Sequence, residues 1–366
     1  MSHTPSVPQL SFDPTGPDPS TPDPSAAGPG ASRLVALDWG TTSARAYLLD
    51  STGPVLDTAP AGRGILAVTD GLATAQDRRA AFEEEFERMC GPWLEAHPSV
   101  PVLASGMVGS NQGWADVPYQ RLPQDLGALA GALTAISTRR GPVHVVPGLL
   151  TDGELPQVMR GEETQILGVL ESAQGDADTR EQHGTVVVLP GTHTKWVRVE
   201  GRRVLDFLTV MTGEVYGLVT RHSILGRLAR RPDAPDLEAF DRGVRTSLSA
   251  DPGGGILATL FSARTLPLTG RLAAEQVDDY ISGLMIGAEV ASCVRDWLAA
   301  GSGGSPGDRP AEVLLCGEPE LCRRYQRALH QLGVDAPVVG GDVVTHGLRS
   351  IALAAGLLDP PAKGTA

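Results

Sequence analysis

The chain has few aromatic side chains, 4% of 366 residues, and no surplus of positive charge: 30 Lys and Arg stand against 43 Asp and Glu, a formal net charge of -13. A nucleic acid or an anionic membrane surface needs a basic face, so neither is expected as the main partner. An anionic ligand has to meet locally placed cations instead. The four cysteines, Cys90, Cys293, Cys316 and Cys322, lack the paired spacing of a zinc knuckle or a disulfide framework. The eight histidines are dispersed, none at a zinc-binding interval. No apolar run reaches the length of a membrane span, and the N-terminus lacks the basic-then-apolar layout of a secretion signal. A reducing cytoplasm is the expected setting. Residues 1–32 are Pro, Ser, Asp and Gly with hardly a large apolar group, too little to offset the entropy of ordering, and are expected to form a disordered tail.

What remains is rich in Ala, Gly, Leu and Val and long enough for two domains with a large α/β core. Its organising stretch runs Leu34-Val-Ala-Leu-Asp38, an apolar strand ending in an acid, then turns on Gly40-Thr41-Thr42 and returns as a second strand carrying Arg45. Backbone N–H groups at such a small-residue turn can cradle a phosphate, and the carboxylate of Asp38 beside it can orient Mg2+ through its water shell. A third strand comes at 53–59 and an amphipathic helix at 80–96, with Phe82, Phe86, Met89, Trp93 and Leu94 on its apolar face. Then come a strand at 100–105, a helix at 126–137 and a strand at 143–147.

The second half repeats the order. A helix around Leu167 precedes three hairpin-linked strands at 185–189, 195–199 and 203–210, a long helix spans 275–298, and strands at 312–316 and 336–339 alternate with helices at 319–332 and 343–357. The turn Gly191-Thr192-His193-Thr194 answers the first one, and Gly317-Glu318 ends the strand at 312–316 before a helix. Repeated order implies two similar domains, 33–155 and 156–366, facing one another. The glycine runs at 253–255 and 301–307 read as flexible loops.

Two phosphate-type hairpins and a later strand-Gly-helix motif resemble the superfamily of actin, the heat-shock ATPases and the sugar kinases. That resemblance implies two ribonuclease-H-like domains around a central ATP cleft. The strings Asp38-Trp-Gly-Thr-Thr42, Gly106-Met-Val-Gly-Ser-Asn-Gln-Gly-Trp114, Arg160-Gly-Glu-Glu-Thr-Gln-Ile-Leu-Gly168, Leu189-Pro-Gly-Thr-His-Thr-Lys-Trp196 and Met211-Thr-Gly-Glu214 resemble the 2-dehydro-3-deoxygalactonokinases more narrowly. The resemblance covers about Leu34 to Leu357. It implies ATP-dependent phosphorylation of 2-dehydro-3-deoxy-D-galactonate on its 6-hydroxyl, with Mg2+ held through water by Asp38.

Under that resemblance Gly40, Thr41 and Thr42 face phosphate from one side, and Gly191, Thr192, His193 and Thr194 from the other. Gly317 and Glu318 belong to the adenosine motif. Glu162 or Glu163 accepts the proton of the attacking hydroxyl. Lys195 either neutralises the transferring group or points to solvent. Ser110, Asn111, Gln112 and Trp114, with Thr212 and Glu214, are placed at the sugar, although Trp114 could instead pack the loop. Arg160 is the first choice for the substrate carboxylate, with Arg45 and Arg63 in reserve. A kinase of the same superfamily acting on another sugar acid or a neutral sugar and a non-catalytic sugar-sensing regulator are the competing readings, and the oligomeric state is left open, a homodimer included.

Overall fold

The computed structural model describes residues 33–173, 184–231, 233–249, 255–298 and 312–360. The expected tail, the loop at 301–307 and most of the glycine run at 253–255 lie outside the described residues. The first sheet is built from β1 (Arg33–Trp39), β2 (Ser43–Asp50), β3 (Val55–Thr58), β4 (Val102–Ser105), β5 (Thr134–Thr138) and β6 (Gly141–Val145), with α1 (Ala75–Ala96) between β3 and β4. Its order is β3-β2-β1-β4-β6-β5, with β1 antiparallel to β2 and parallel to β4. After α2 (Glu162–Ser172) the plan recurs in β7 (Thr185–Leu189), β8 (Thr194–Glu200), β9 (Arg203–Val210) and β10 (Glu312–Leu315). Here β7 is antiparallel to β8 and parallel to β10, and Val338 pairs with Leu315 where a fifth strand would lie. Both sheets thus have the ribonuclease-H-like order, an α/β architecture repeated within one chain.

Central strands buried on both faces need apolar groups on both, and β1 and β7 supply them. Along β1, Val35, Leu37 and Trp39 turn to one cluster with Phe82 and Phe86 of α1, whereas Leu34 and Ala36 turn to another. Along β7, Val187 and Leu189 join that second cluster, so one core runs continuously beneath both sheets. Val186 and Val188 face a third core formed with α4 (Leu237–Ser249), α5 (Val277–Cys293) and α6 (Pro319–His330); α3 (Thr212–His222) precedes these helices in the chain.

The shared core is held by α2 crossing α7 (Val343–Ala354). They meet through Gly168 and Gly347, where an added methyl group would overlap the backbone carbonyl of Val343 or of Thr164. A second tie is made by the short strand Gln124–Asp125, which pairs with Val204 and Arg203 at the open edge of β9. The helix expected at 126–137 is absent: residues 127–132 form a 3-10 turn and 134–138 the strand β5. Two glycines weaken a helix there, and Thr134, Ile136 and Thr138 favour a strand. At the other end α1 begins five residues earlier than expected, because Thr74 caps it by accepting the N–H of Asp77 at 3.1 Å. The strand expected at 336–339 is reduced to one bridge, since Pro337 has no N–H to add to a ladder.

Candidate active site

At the first bend the Gly40 N–H donates to the Ser43 carbonyl at 2.9 Å, closing the turn. The carbonyls of Gly40 and Thr41 accept from Ile65 and Leu66 at 3.1 and 3.2 Å, which pins it to a short helical turn. Trp39 anchors it from below, its ring edge-on to Phe82 at 5.4 Å and its indole N–H donated to the Arg63 carbonyl at 2.9 Å. Asp38 is left facing a cavity of about 530 Å³. Burial pushes its carboxyl above the ordinary range; Arg45, 4.0 Å away, opposes that and the Glu162 charge adds to it.

Glu162 reaches this cavity because α2 starts with an inward fold of the chain. Gly161 sits at φ 105°, a conformation open to glycine, and packs against Gly106, itself at φ 99°. The Arg160 N–H then donates to Glu162 Oε2 at 2.9 Å, while Glu162 Oε1 lies 3.1 Å from Lys195 Nζ. Arg160 is 6% exposed and lines the cavity. Its Nη2 donates to the Val117 carbonyl at 2.6 Å and its guanidinium lies 4.2 Å from the centre of the Tyr119 ring, yet Nε and Nη1 have no protein acceptor. Buried donors of that kind call for an anion.

The second bend enters the same cavity from β7 and β8 through Gly191, Thr192, His193 and Lys195, with Gly317 at φ 158° beside it. It is pinned by α3: Glu214 donates its N–H to the Thr192 carbonyl at 2.9 Å, and its carboxylate lies 2.5 Å from His193 Nε2. Gly191 also opens onto a second cavity of about 260 Å³ between α3, α5 and α6, walled by Tyr216, Met285, Ile286, Leu321, Arg324 and Tyr325.

Of the residues singled out in the sequence, the larger cavity gathers Asp38, Gly40, Thr41, Arg160, Glu162, Gly191, Thr192, His193, Lys195 and Gly317. Several others fall elsewhere. Glu163 is fully buried, with both carboxylate oxygens on the Gly161 N–H, and burial together with the Glu162 charge pushes it up to about 8. It does not reach the cavity. Thr42 is exposed outside the lining, and Thr194 turns inward to Tyr325 Oη at 2.9 Å. Ser110 is buried, donating to the Met107 carbonyl, and Asn111 and Gln112 are exposed away from the cavity. Trp114 is a core residue, packed between Trp39, Phe82 and Phe86. Thr212 and Glu318 line the smaller cavity, where Glu318 also caps α6 by accepting from Glu320 and Leu321. Glu214 holds His193 instead of lying beside Arg160. Arg63 is committed to Glu85 at 2.8 Å.

Sequence reasoning passed over Gln165 of the larger cavity and Tyr216, Arg324 and Tyr325 of the smaller, and it took Tyr119 only as the end of the loop from Gly106 that it assigned to the sugar. Gln165 had a signal: it lies one turn from Glu162 on the same helix face. Among the described residues no three His, Cys, Asp or Glu side chains converge as a metal cage. Mg2+ needs only one or two carboxylates with water and phosphate in its other positions, and Asp38 facing Glu162 across one cavity fits that requirement.

Two ribonuclease-H-like sheets, each offering a glycine-threonine bend to one cleft, define a two-lobed protein of the sugar-kinase and actin class. Within that class the chain belongs to the 2-keto-3-deoxy-galactonokinase family, whose sequence profile matches residues 38–351. It is 34% identical over 323 residues to the 2-dehydro-3-deoxygalactonokinase of Escherichia coli K12, covering 88% of this chain and 98% of that one. A Rhizobium meliloti 1021 protein assigned the same activity is 33% identical over 329 residues, with the same shares covered. The crystal structure of a Sinorhizobium meliloti protein assigned to this activity superposes with a TM-score of 0.71 at 32% identity, over 88% of this chain and 98% of the other.

Proposed function

We propose that this chain transfers the terminal phosphoryl group of ATP to the 6-hydroxyl of 2-dehydro-3-deoxy-D-galactonate in galactonate breakdown. The observation that carries the reading is that both bends, Glu162, Lys195 and Arg160 line one cavity. The nucleoside occupies the smaller cavity, and its phosphates pass Gly191, a wall residue common to both cavities, into the larger one. Backbone N–H groups of the two bends and the Lys195 ammonium meet the phosphate oxygens, which is where phosphoryl transfer accumulates charge.

Glu162 is the group in reach of the acceptor hydroxyl and takes its proton as the oxygen attacks phosphorus. Lys195, 3.1 Å from Glu162, is shared between base and phosphoryl group. Arg160, whose Nε and Nη1 find no acceptor in the protein, is the lining cation that pairs with the carboxylate distinguishing a sugar acid from a neutral sugar. The Tyr119 ring and Val117 carbonyl hold that guanidinium in one orientation. Mg2+, held through water by Asp38, would neutralise phosphate charge. Closing of the lobes excludes water that would otherwise compete as acceptor. All four cysteines are buried and free, which suits a reducing cytoplasm.

An ATP-coupled assay across a panel of 2-keto-3-deoxy sugar acids and neutral sugars tests this. The galactonate derivative is expected to give the highest kcat/KM and neutral sugars no turnover. Equal turnover of a neutral hexose would overturn the assignment.

A further inference from the structure

Glu289 lies on α5 one turn beyond Met285 and Ile286 and two beyond Ser282, through which that helix floors the smaller cavity. It is 6% exposed and does not line the cavity itself. A carboxylate so withdrawn from water is costly unless its oxygens are occupied. Three other elements occupy them. The Trp196 indole N–H of β8 donates to Oε1 at 2.7 Å, the Tyr325 hydroxyl of α6 donates to Oε2 at 2.7 Å, and the Thr212 hydroxyl at the start of α3 bonds to the carboxylate as well. Thr194 of β8 extends the set by bonding Tyr325 Oη at 2.9 Å. Burial pushes the Glu289 carboxyl up, and the three donors oppose that rise.

The partners of this carboxylate divide between two places. Thr212 and Tyr325 line the smaller cavity, while Thr194 and Trp196 flank Lys195 on the strand that returns from the second bend. Successive side chains of a strand point to opposite faces, so fixing Thr194 and Trp196 on the inner face aims Lys195 at the cleft. An apolar residue in place of Glu289 could fill the space but could not bind three donors from three elements.

We infer that Glu289 is a positioning residue for the nucleotide: it ties the second phosphate bend to the first turn of α3 and to α6, setting the distance between the base cavity and the phosphate end. The inference rests on the reading of the smaller cavity as the nucleoside site. A merely structural carboxylate would change stability and leave substrate preference alone.

The test uses the full chain with Glu289→Gln and Trp196→Phe, read by steady-state kinetics and by calorimetry with ADP and with the sugar acid. In Glu289→Gln the amide oxygen serves Trp196 and the NH2 turns the Tyr325 hydroxyl round, so the fold is kept and the charge assistance lost. KM for ATP and Kd for ADP are expected to rise about tenfold and kcat to fall about threefold as Lys195 loses its aim, with the KM for sugar acid within about twofold. Trp196→Phe is expected to act in the same direction by about threefold, and it decides the matter if Glu289→Gln does not fold. Wild-type ADP affinity in a folded variant, or a loss falling equally on ATP and sugar acid, overturns the inference alone. Wild-type protein that does not bind ADP overturns the nucleoside-site reading and this inference with it.

Discussion

The two lobes share three antiparallel strands, a bend at the end of the first, and a parallel fourth strand, and they diverge beyond that fourth strand. After β4 the chain makes no helix until α2; residues 106–133 instead run as loop, short strands and 3-10 turns that bring Gly106, Met107 and Tyr119 to the larger cavity and the Val117 carbonyl to Arg160. After β10 it turns at Gly317 directly into α6, whose Leu321, Arg324 and Tyr325 wall the smaller one. The common elements, Asp38 with Gly40 and Gly191 with Thr192, face the space between. Under the proposed function, the part each lobe repeats serves the phosphates, and the part it does not repeat would decide what sits at either end of the phosphate chain.

Substitutions at the junction and on one side of it can break that division. The largest effect belongs to the junction: Glu162→Gln should lower kcat by about 10²- to 10⁴-fold while ATP binding by calorimetry stays near wild type. Glu163→Gln should keep most of its turnover, and a reversal of the two results would move the base into the buried position. On the first lobe's side, Arg160→Met should raise the KM for the sugar acid by about 100-fold and leave the KM for ATP within about threefold. An equal rise in both constants would mean that the lobes do not divide the ligands.

Smaller effects sharpen the comparison. Trp114→Phe should cost about 1 kcal/mol in chemical denaturation, modest because the indole N–H it removes is buried without a partner, and should leave both KM values unchanged. A shifted sugar KM would return that residue to the substrate. The last concerns pH. Glu163 in the folded chain holds its proton up to about 8, above the ordinary 4.5. The stability this proton supplies is complete below 4.5 and is lost as pH rises towards 8. Wild-type melting temperature should therefore fall across that window more steeply than that of Glu163→Gln, and parallel profiles would show that the group is not held neutral.

The repeated part was legible in the sequence because it rests on local signals. Apolar runs such as Val186-Val-Val188 read as strands, and glycine with threonine at their ends reads as a bend. The unrepeated part was not, since Trp114 and Ser110 look like ligand groups in a glycine-rich string until the aromatic cluster around Trp39 and the Met107 carbonyl are seen to claim them. Glu162 and Glu163 were indistinguishable by type and position; they are separated by the Gly161 N–H, which donates to both oxygens of the second, and by Lys195, which meets the first at the cavity. Tyr325 and Glu289 are 36 residues apart, and nothing local links them.

The pairing of Gln124–Asp125 with β9 bears on how the molecule could be divided. A cut between residues 155 and 156, where the sequence suggests one domain ends, would strip that strap from the second sheet and uncover Arg203 and Val204 on an edge open to intermolecular addition. We therefore expect each fragment, expressed by itself, to be insoluble or to recapture its missing half when the two are made together.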